Sequence, residues 1–313
     1  MTNRHASVRV PASTSNLGGG FDCVGMAVDR WLSASVTIDD TVSGVSITRS
    51  GTLASMGCAP TDDLLFTGFV AACKRRECAV PVGLSFAMSS EIPVARGLGS
   101  SAAALVAGAA LADSALQLNL GHSGVAQLVA QLEGHPDNAA AAVFGGATLG
   151  ISRGDGADSH RSTYAFATLA VHPGLAFIFV IPALEVTTAS ARAVLPDRVS
   201  FGDAVSAVQR GAALVHGLAT GDQALLERAL EDVLHVPYRR HLVPGFDSVV
   251  AAARHAGAFG ATLSGSGSAM VAIGRHRDAG AIAAAMASDF ASRSLSAETL
   301  VMGGAVAGLV TIP

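Results

Sequence analysis

Residues 93–103 read PVARGLGSSAA, a glycine-punctuated loop that runs directly into an alanine-rich segment. Gly97 and Gly99 lack a Cβ, so the backbone can approach a ligand closely there, and the first N–H groups of a helix that follows are unpaired and face the loop. Upstream, apolar residues occupy alternate positions over residues 82–88, a pattern typical of a β-strand. The order of strand, loop and helix predicts a phosphate-binding site and therefore nucleotide chemistry.

Two other phosphate-binding patterns fit the chain less well. A Walker loop requires a lysine after its last glycine, whereas Lys74 is the single lysine of the chain and lies in the charged run 74–77. That absence also disfavours protein kinases and pyridoxal Schiff-base enzymes, which depend on a placed lysine. Residues 97–102 fit the dinucleotide pattern Gly-x-Gly-x-x-Ala. However, the helical pattern continues to about residue 118, where a dinucleotide fold needs a second strand that ends in an acidic residue.

The composition favours a two-domain enzyme that acts on small molecules. A chain of 313 residues with 50% hydrophobic content exceeds the usual size of one domain and can bury a large core. A net charge of −4 provides no basic surface for nucleic acid or for an anionic membrane. The longest apolar run, residues 102–112, is too short to cross a bilayer, and the first residues lack a signal-peptide core, which together favour a cytoplasmic location. The four cysteines are too scattered for a disulfide scaffold or a zinc site.

Hydrophobic periodicity indicates a β-rich first part and a second part that alternates helices and strands. We predict a boundary at the turn His172-Pro173-Gly174, which gives domains 1–172 and 173–313. A polar turn is expected over residues 152–162, and Ser123 is expected to cap a helix that follows it. The helices predicted in the second domain cover residues 203–218, 222–234, 245–255 and 278–288.

Two more glycine-rich loops accompany residues 93–103. Residues 16–22 read NLGGGFD, with an amide and a carboxylate at the two ends, and residues 262–268 read TLSGSGS between two predicted strands. One such loop alone is more often an ordinary turn. Three in one chain, each flanked by serine or another polar residue, point to one site that handles phosphate.

The three loops, residues 11–22, 93–103 and 260–268 in this order, resemble the three motifs of the GHMP small-molecule kinases. The resemblance implies an α+β fold, with a first domain like ribosomal protein S5 domain 2 that contains a left-handed βαβ crossover, and a ferredoxin-like second domain. The site is expected between the two domains. Gly19 and Ser268 depart from the family, which usually has proline at both positions.

The resemblance also implies ATP and Mg²⁺ as cofactors. Ser101, or its neighbour Ser100, would offer a hydroxyl to the metal, and Glu133 would supply the metal-binding carboxylate, which are the hard oxygen ligands that Mg²⁺ prefers. The ATP phosphates would be enclosed by Pro93, Val94, Ala95, Arg96, Gly97, Leu98, Gly99, Ser100, Ser101, Ala102 and Ala103.

Within the family, the form of the first motif is typical of the branch whose acceptor is the side-chain hydroxyl of L-homoserine. A carboxylate suits the α-ammonium of such an acceptor, an arginine suits its α-carboxylate, and Thr188 would lie near the reacting hydroxyl. Homodimers are also an expectation of this branch. The residues that match its acceptor-binding positions are Asn16, Asp22, Asn138, Arg192 and Arg239.

Position 138 bears on the mechanism. An amide has no proton-accepting state near neutral pH, so Asn138 is expected to align the reactants while the hydroxyl attacks directly and loses its proton late. His135 and Asp137 remain open as proton carriers. Two alternative functions also remain open: a kinase for another small alcohol, such as threonine or an isoprenoid precursor, and a non-catalytic metabolite sensor on the same fold.

Overall fold

The computed structural model describes residues 4–154 and 163–312, so part of the polar turn predicted at 152–162 lies outside the described residues. In chain order the strands are β1 (Arg4–Asn16), β2 (Gly20–Ile38), β3 (Gly44–Gly51), β4 (Gly83–Ser90), β5 (Ala147–Ser152), β6 (Tyr164–Leu169), β7 (Leu175–Pro182), β8 (Gly260–Leu263), β9 (Met270–Arg275), β10 (Ala297–Met302) and β11 (Val310–Ile312). The helices are α1 (Leu64–Arg75), α2 (Ser100–Leu116), α3 (Gly121–Glu133), α4 (Asp137–Phe144), α5 (Thr188–Ala193), α6 (Phe201–Thr220), α7 (Gln223–Ala229), α8 (Val236–Arg239), α9 (Phe246–His255) and α10 (Ala279–Ser292).

The first sheet is built around a long antiparallel hairpin of β1 and β2, whose turn, residues 17–19, belongs to the first glycine-rich loop. The strand order is β11-β1-β2-β4-β3, with β5 beside β2 and β6 beside β5. Strands β3 and β4 are parallel and are connected through α1, as a βαβ unit requires.

The second sheet is antiparallel, with strand order β10-β7-β9-β8. Its four strands follow the sequence β-α-β-β-α-β along the chain, which is the ferredoxin-like arrangement that was expected. Every residue of β7 is buried, because helices pack on one face of this sheet and the first domain's core reaches the other. The apolar run of this strand, LAFIFVIP, reflects burial on both faces.

Helix α2 lies in the core of the first sheet and carries the phosphate loop at its N-terminus. Its residues 102–112 are all buried. An added Cβ on Gly68 of α1 would lie 2.2 Å from the Leu105 carbonyl oxygen, and one on Gly108 would lie 1.8 Å from the Leu65 carbonyl oxygen. Helices α1 and α2 therefore pack backbone against backbone, and this contact determines where the N-terminus of α2 points.

The predicted cap at Ser123 is wrong. Helix α3 begins at Gly121, and its first N–H groups are satisfied from another element: the Asp113 carboxylate accepts hydrogen bonds from the backbone N–H of Leu120 at 2.8 Å and of Gly121 at 3.0 Å. The Asp113 carboxylate on α2 thus caps α3 in place of the predicted serine.

Other differences lie in the second part of the chain. The helix predicted over residues 222–234 ends at Ala229, and the chain then turns around Asp232 into the short helix α8. Helix α5 and strand β10 were not predicted, since the first is a single short stretch and the second is a largely exposed edge strand. None of the described helices is long and apolar enough to cross a bilayer.

The passage from the first sheet to the second falls between Leu169 and Leu175. Strand β11 returns to the first sheet and pairs with β1. The division into domains 1–172 and 173–313 stays a prediction.

Candidate active site

The phosphate loop meets the start of α2 in a backbone conformation that only glycine adopts readily. Gly97 and Gly99 have φ angles of 73° and 66°. An added Cβ would lie 2.0 Å from the Ser264 carbonyl oxygen at Gly97 and 2.1 Å from Ser13 Oγ at Gly99. Because α2 begins at Ser100, its first N–H groups have no partner within the helix and form an anion-binding end.

The three glycine-rich loops are joined by direct hydrogen bonds. Asn16 Nδ2 donates to the Gly265 carbonyl oxygen at 2.8 Å, and Ser264 Oγ donates to the Gly97 carbonyl oxygen at 2.7 Å. The backbone N–H of Gly265 also donates to the Ser15 carbonyl oxygen at 3.1 Å. Loops that are far apart in the sequence therefore form one continuous wall.

This wall belongs to a cavity of about 410 Å³ that contains nearly all the residues expected at the site. Ala102 and Ala103 are the exceptions: both are fully buried inside α2 and reach no cavity surface with their side chains. The expected residues that line the cavity are Asn16, Asp22, Pro93, Val94, Ala95, Arg96, Gly97, Leu98, Gly99, Ser100, Ser101, Glu133, Asn138, Thr188, Arg192 and Arg239.

Part of the cavity lining is apolar and had no signal in the sequence motifs. Leu53, Met56 and Leu64 lie there, together with Met88 at the inner face of β4. The alternation of β4 predicts that Met88 is buried, but no local pattern shows that residues from the segment after β3 and from the start of α1 join it. An apolar slot of this kind suits the flat face of a nucleotide base.

Ser101 and Glu133 form a pair beside the phosphate loop. Ser101 Oγ donates to Glu133 Oε1 at 2.9 Å, whereas Glu133 Oε2 is buried and has no hydrogen-bond partner among the described residues. Burial raises the pKa of the Glu133 carboxyl. A buried carboxylate oxygen without a partner, next to a hydroxyl, is a donor set that fits a hard cation such as Mg²⁺.

Asp22 and Arg192 form an ion pair with two contacts, Nη2 to Oδ1 at 2.8 Å and Nη1 to Oδ2 at 3.1 Å. Asp22 has a φ of 53°, so the glycine-rich loop holds this carboxylate in a left-handed conformation. Both side chains are partly exposed. The pair can therefore open when a ligand offers each partner a charge of its own.

Arg239 is a buried guanidinium that lacks an acidic partner. It is 3% exposed and forms no ion pair with any carboxylate in residues 4–154 and 163–312. Its Nε donates to the Ala191 carbonyl oxygen at 2.9 Å, and its Cζ lies 5.2 Å from the centre of the Phe21 ring. Burial, followed by the charge of Arg192, lowers the pKa of Arg239. An anionic ligand would supply what this buried charge lacks.

Asn138 is held by two serines of β1. Ser13 Oγ donates to Asn138 Oδ1 at 2.9 Å, and Asn138 Nδ2 donates to Ser15 Oγ at 3.1 Å. The amide is therefore fixed at the cavity wall, in an orientation set by the strand that precedes the first glycine-rich loop. Thr188 also lines the cavity, at the first residue of α5, a helix that Thr187 caps.

His135 and Asp137 interact with each other at 2.7 Å, between Nδ1 and Oδ1. Burial lowers the pKa of His135, but the Asp137 carboxylate outweighs it and raises the pKa to about 9. The pKa of Asp137 is lowered by the same interaction, against the effect of its own burial. At neutral pH His135 is thus an imidazolium, which cannot accept a proton.

Gly19 and Ser268, the two departures from the family's prolines, both make contacts that proline cannot make. The backbone N–H of Gly19 donates to the Ala229 carbonyl oxygen at 2.8 Å, and an added Cβ would lie 2.7 Å from Arg210 Cβ on α6. The Ser268 hydroxyl donates to the Leu184 carbonyl oxygen. Both departures are therefore explained by contacts with residues that are distant in the sequence.

Two family models match the chain: the GHMP kinases N terminal domain at residues 65–146 and the GHMP kinases C terminal domain at residues 214–292. Leishmania major mevalonate kinase has the same fold, with a TM-score of 0.64 at 17% identity over 96% of both chains. The fold and the three loops thus define a small-molecule kinase of the GHMP class.

Closer relatives narrow the family. The chain is 40% identical to the homoserine kinase of Moorella thermoacetica over 291 residues, 92% of this chain and 93% of that protein. It is 36% identical to the Synechococcus homoserine kinase over 305 residues, 96% of each. The crystal structure of homoserine kinase from Cytophaga hutchinsonii matches with a TM-score of 0.86 at 27% identity, covering 100% of this chain and 98% of that one. The chain belongs to the homoserine kinase family and is an ATP-dependent small-molecule kinase.

Proposed function

We propose that the protein transfers the γ-phosphoryl group of ATP to the side-chain hydroxyl of L-homoserine, which gives O-phospho-L-homoserine for threonine biosynthesis. One observation carries the choice of acceptor: a buried arginine that forms no ion pair with a described carboxylate, Arg239, shares the cavity with the Asp22–Arg192 pair and the phosphate loop. An α-amino acid offers one carboxylate and one ammonium, which are the charges that this set of side chains can bind. The names of the relatives support the same acceptor.

When the acceptor binds, the ion pair between Asp22 and Arg192 would be replaced by ion pairs with the charged groups of the acceptor. Its α-carboxylate binds Arg239 and the Arg192 fork, and its α-ammonium binds the Asp22 carboxylate that Arg192 releases. Asn16 supports this end, since its Oδ1 accepts the backbone N–H of Asp22 at 3.1 Å. The exchange keeps each partly buried charge paired.

ATP would bind along the phosphate loop. Its phosphates lie against the backbone N–H groups at the start of α2 and against Gly97 and Gly99, where the absence of a Cβ allows close approach. Its base would lie against the apolar part of the cavity lining, to which Leu53 and Met88 belong. No lysine is needed for this grip, which agrees with the position of Lys74 at the exposed end of α1.

Ser101 and Glu133 would hold Mg²⁺, because Glu133 Oε2 is a buried carboxylate oxygen without a partner and the Ser101 hydroxyl lies next to it. The metal neutralises charge on the transferring phosphoryl group when it is bound. The chain's own residues would align the reactants: Asn138 and Thr188 both line the cavity, where they can orient the acceptor hydroxyl.

The hydroxyl would attack the γ-phosphorus without a protein base. Asn138 has no proton-accepting state, and His135 is protonated at neutral pH. Asp137 is buried and already accepts hydrogen bonds from His135 and from the backbone N–H of Asn138. A loose transition state places little charge on the attacking oxygen early, so alignment and charge neutralisation suffice.

ADP release, measured with L-homoserine, L-threonine, mevalonate, 3-aminopropanol and homoserine lactone, tests the proposal. L-Homoserine should be the best acceptor. 3-Aminopropanol, which has the hydroxyl and the amine without the carboxylate, should be poor, and homoserine lactone, which lacks both the free carboxylate and the free hydroxyl, should not react. Equal rates with homoserine and 3-aminopropanol would show that the enzyme does not recognise the α-carboxylate. The protein would then be a kinase for small alcohols in general. Absence of ADP release with every acceptor would favour a metabolite sensor.

A further inference from the structure

A ring contact lies behind the acceptor end of the cavity. The Phe21 ring stacks on the His235 imidazole, with ring centres 4.8 Å apart and planes 19° apart, and it also contacts the Arg239 guanidinium at 5.2 Å. Phe21 does not line the cavity, whereas its neighbour Asp22 does. The Phe21 ring thus contacts Arg239 and His235, and the backbone of Phe21 is directly bonded to that of Asp22.

The His235 side of this contact is rigid. The Asp232 carboxylate accepts hydrogen bonds from three consecutive backbone N–H groups, those of Leu234, His235 and Val236, at 3.0, 2.6 and 2.7 Å. This interaction fixes the start of α8. His235 and Arg239 are four residues apart, so they lie on the same side of this helical turn and both reach Phe21.

The contribution of His235 comes from the shape of its ring. It is fully buried, and neither ring nitrogen has a hydrogen-bond partner among the described residues, with Asp232 Oδ2 3.8 Å from Nε2. Burial, reinforced by the charge of Arg239, outweighs the attraction of Asp232 and lowers the pKa of His235 to about 4. A neutral ring can lie beside a guanidinium without repelling it.

Arg239 depends on this packing for its orientation. Its hydrogen bond to the Ala191 carbonyl oxygen holds Nε only. The Phe21 ring is the other contact on the guanidinium, and such contacts between a cation and an aromatic face favour a defined position. Arg239 and Asp22, the residues proposed to bind the acceptor's carboxylate and ammonium, are therefore connected through one residue, Phe21: its ring contacts Arg239 and its backbone continues into Asp22.

We propose that Phe21 and His235 are positioning residues, which hold Arg239 at a defined distance from Asp22 and thereby select acceptors that carry both an α-carboxylate and an α-ammonium. This rests on the proposed function of Arg239 as the carboxylate ligand. Neither Phe21 nor His235 lines the cavity, so their effect on the acceptor would pass through Arg239.

Steady-state kinetics of Phe21→Leu, with Phe21→Tyr as the matched control, test the inference. Phe21→Leu should raise the KM for homoserine about 3- to 30-fold, the range that a lost cation–π contact predicts. The KM for ATP should stay within about twofold, and the preference for homoserine over 3-aminopropanol should fall by a similar factor to the rise in KM. Phe21→Tyr, which keeps the ring, should behave like the wild type. An unchanged homoserine KM in folded Phe21→Leu would overturn the inference.

The double variant Phe21→Leu/Arg239→Ala separates this inference from the proposed function. If Phe21 acts through Arg239, its replacement should change the homoserine KM less than about twofold once Arg239 is alanine. If the fold-changes in homoserine KM of the two single variants multiply in the double variant, Phe21 acts independently of Arg239. This result would overturn the inference and leave the proposed function standing. If Arg239→Ala by itself leaves the homoserine KM unchanged, the proposed carboxylate site is wrong.

His235 provides a second test that does not depend on the folding of the Phe21 variants. His235→Phe keeps a flat ring and should retain the wild-type KM for homoserine, whereas His235→Leu, of similar size but not flat, should raise it. Thermal midpoints of both variants, with all kinetics measured well below them, distinguish lost packing from lost folding. Equal homoserine KM values for the two variants would contradict a stacking role.

Discussion

Because of the His135–Asp137 pair, the free energy of unfolding of this protein should fall as the pH becomes alkaline. The folded pKa of His135 is about 9, against 6.5 for an ordinary histidine. A histidine whose pKa is raised by folding contributes stability that is fully present below pH 6.5 and is lost as the pH rises through about 9. The difference corresponds to about 3 kcal/mol at 1.36 kcal/mol per pH unit, an upper limit for a pair whose His135 side chain is 11% exposed.

Urea unfolding of the wild type at pH 6 to 9.5, at constant ionic strength, should show a falling free energy of unfolding over this window. In His135→Gln the alkaline slope should disappear. In Asp137→Asn the largest charge that raises the pKa of His135 is gone, while burial and the weaker effects of Glu133 and Asp22 remain, so the pKa of His135 should fall and the alkaline slope should become smaller. NMR titration of labelled histidines reports the pKa of His135 directly.

A wild-type free energy that stays flat between pH 6.5 and 9, with a His135 resonance that titrates near 6.5, would refute this reasoning. His235 provides an internal contrast, since its folded pKa is about 4. A histidine with a lowered pKa contributes stability that is present above pH 6.5 and is lost as the pH falls towards 4. His235→Phe should therefore flatten the acid side of the same curve and leave the alkaline side unchanged.

Four further substitutions test the site. Glu133→Ala and Ser101→Ala should each reduce kcat by orders of magnitude while the thermal midpoint is retained, because both would hold the metal; near-normal turnover with unchanged Mg²⁺ dependence in Glu133→Ala would remove this residue from the site. Arg239→Ala should raise the homoserine KM by about one to three orders of magnitude with little change for ATP, as expected for a lost charge-assisted pair, and an equal loss for both substrates would argue for a structural role. Lys74→Ala should leave ATP affinity and turnover unaltered, since the phosphate grip uses backbone N–H groups; a large loss in the folded variant would reopen a lysine-based mechanism.

Much of the site was predictable because its signals are local. The two glycines of residues 93–103 and the small residues after them report a backbone conformation and a helix start, which depend on near neighbours in the chain. The same holds for the predicted strand that precedes them and for helix α2. The roles of the individual site residues stay predictions, although the structure brings all of them except Ala102 and Ala103 to one cavity.

Other features had no local signal. The apolar part of the cavity lining combines Leu53, Met56 and Met88 from separate elements. The sequence predicted Ser123 as a helix cap, whereas a carboxylate on a neighbouring helix accepts the hydrogen bonds at the start of α3. Gly19 departs from the family motif, and its reason lies in contacts with α6 and with the end of α7. In each case the deciding contact is distant along the chain.

The histidines show the division most clearly. By itself the sequence determined the phosphate loop, the strand and the helix on either side of it, and the charged residue types of the site, since these follow from backbone freedom and hydrophobic periodicity. It presents His135 and His235 alike, each in a turn and close to a proline. Only the tertiary structure places one beside a buried carboxylate, which raises its pKa, and the other in an apolar stack next to a guanidinium, where the pKa falls. Burial and charge act through space, so the chemistry of a side chain is decided by neighbours that the folded chain brings to it.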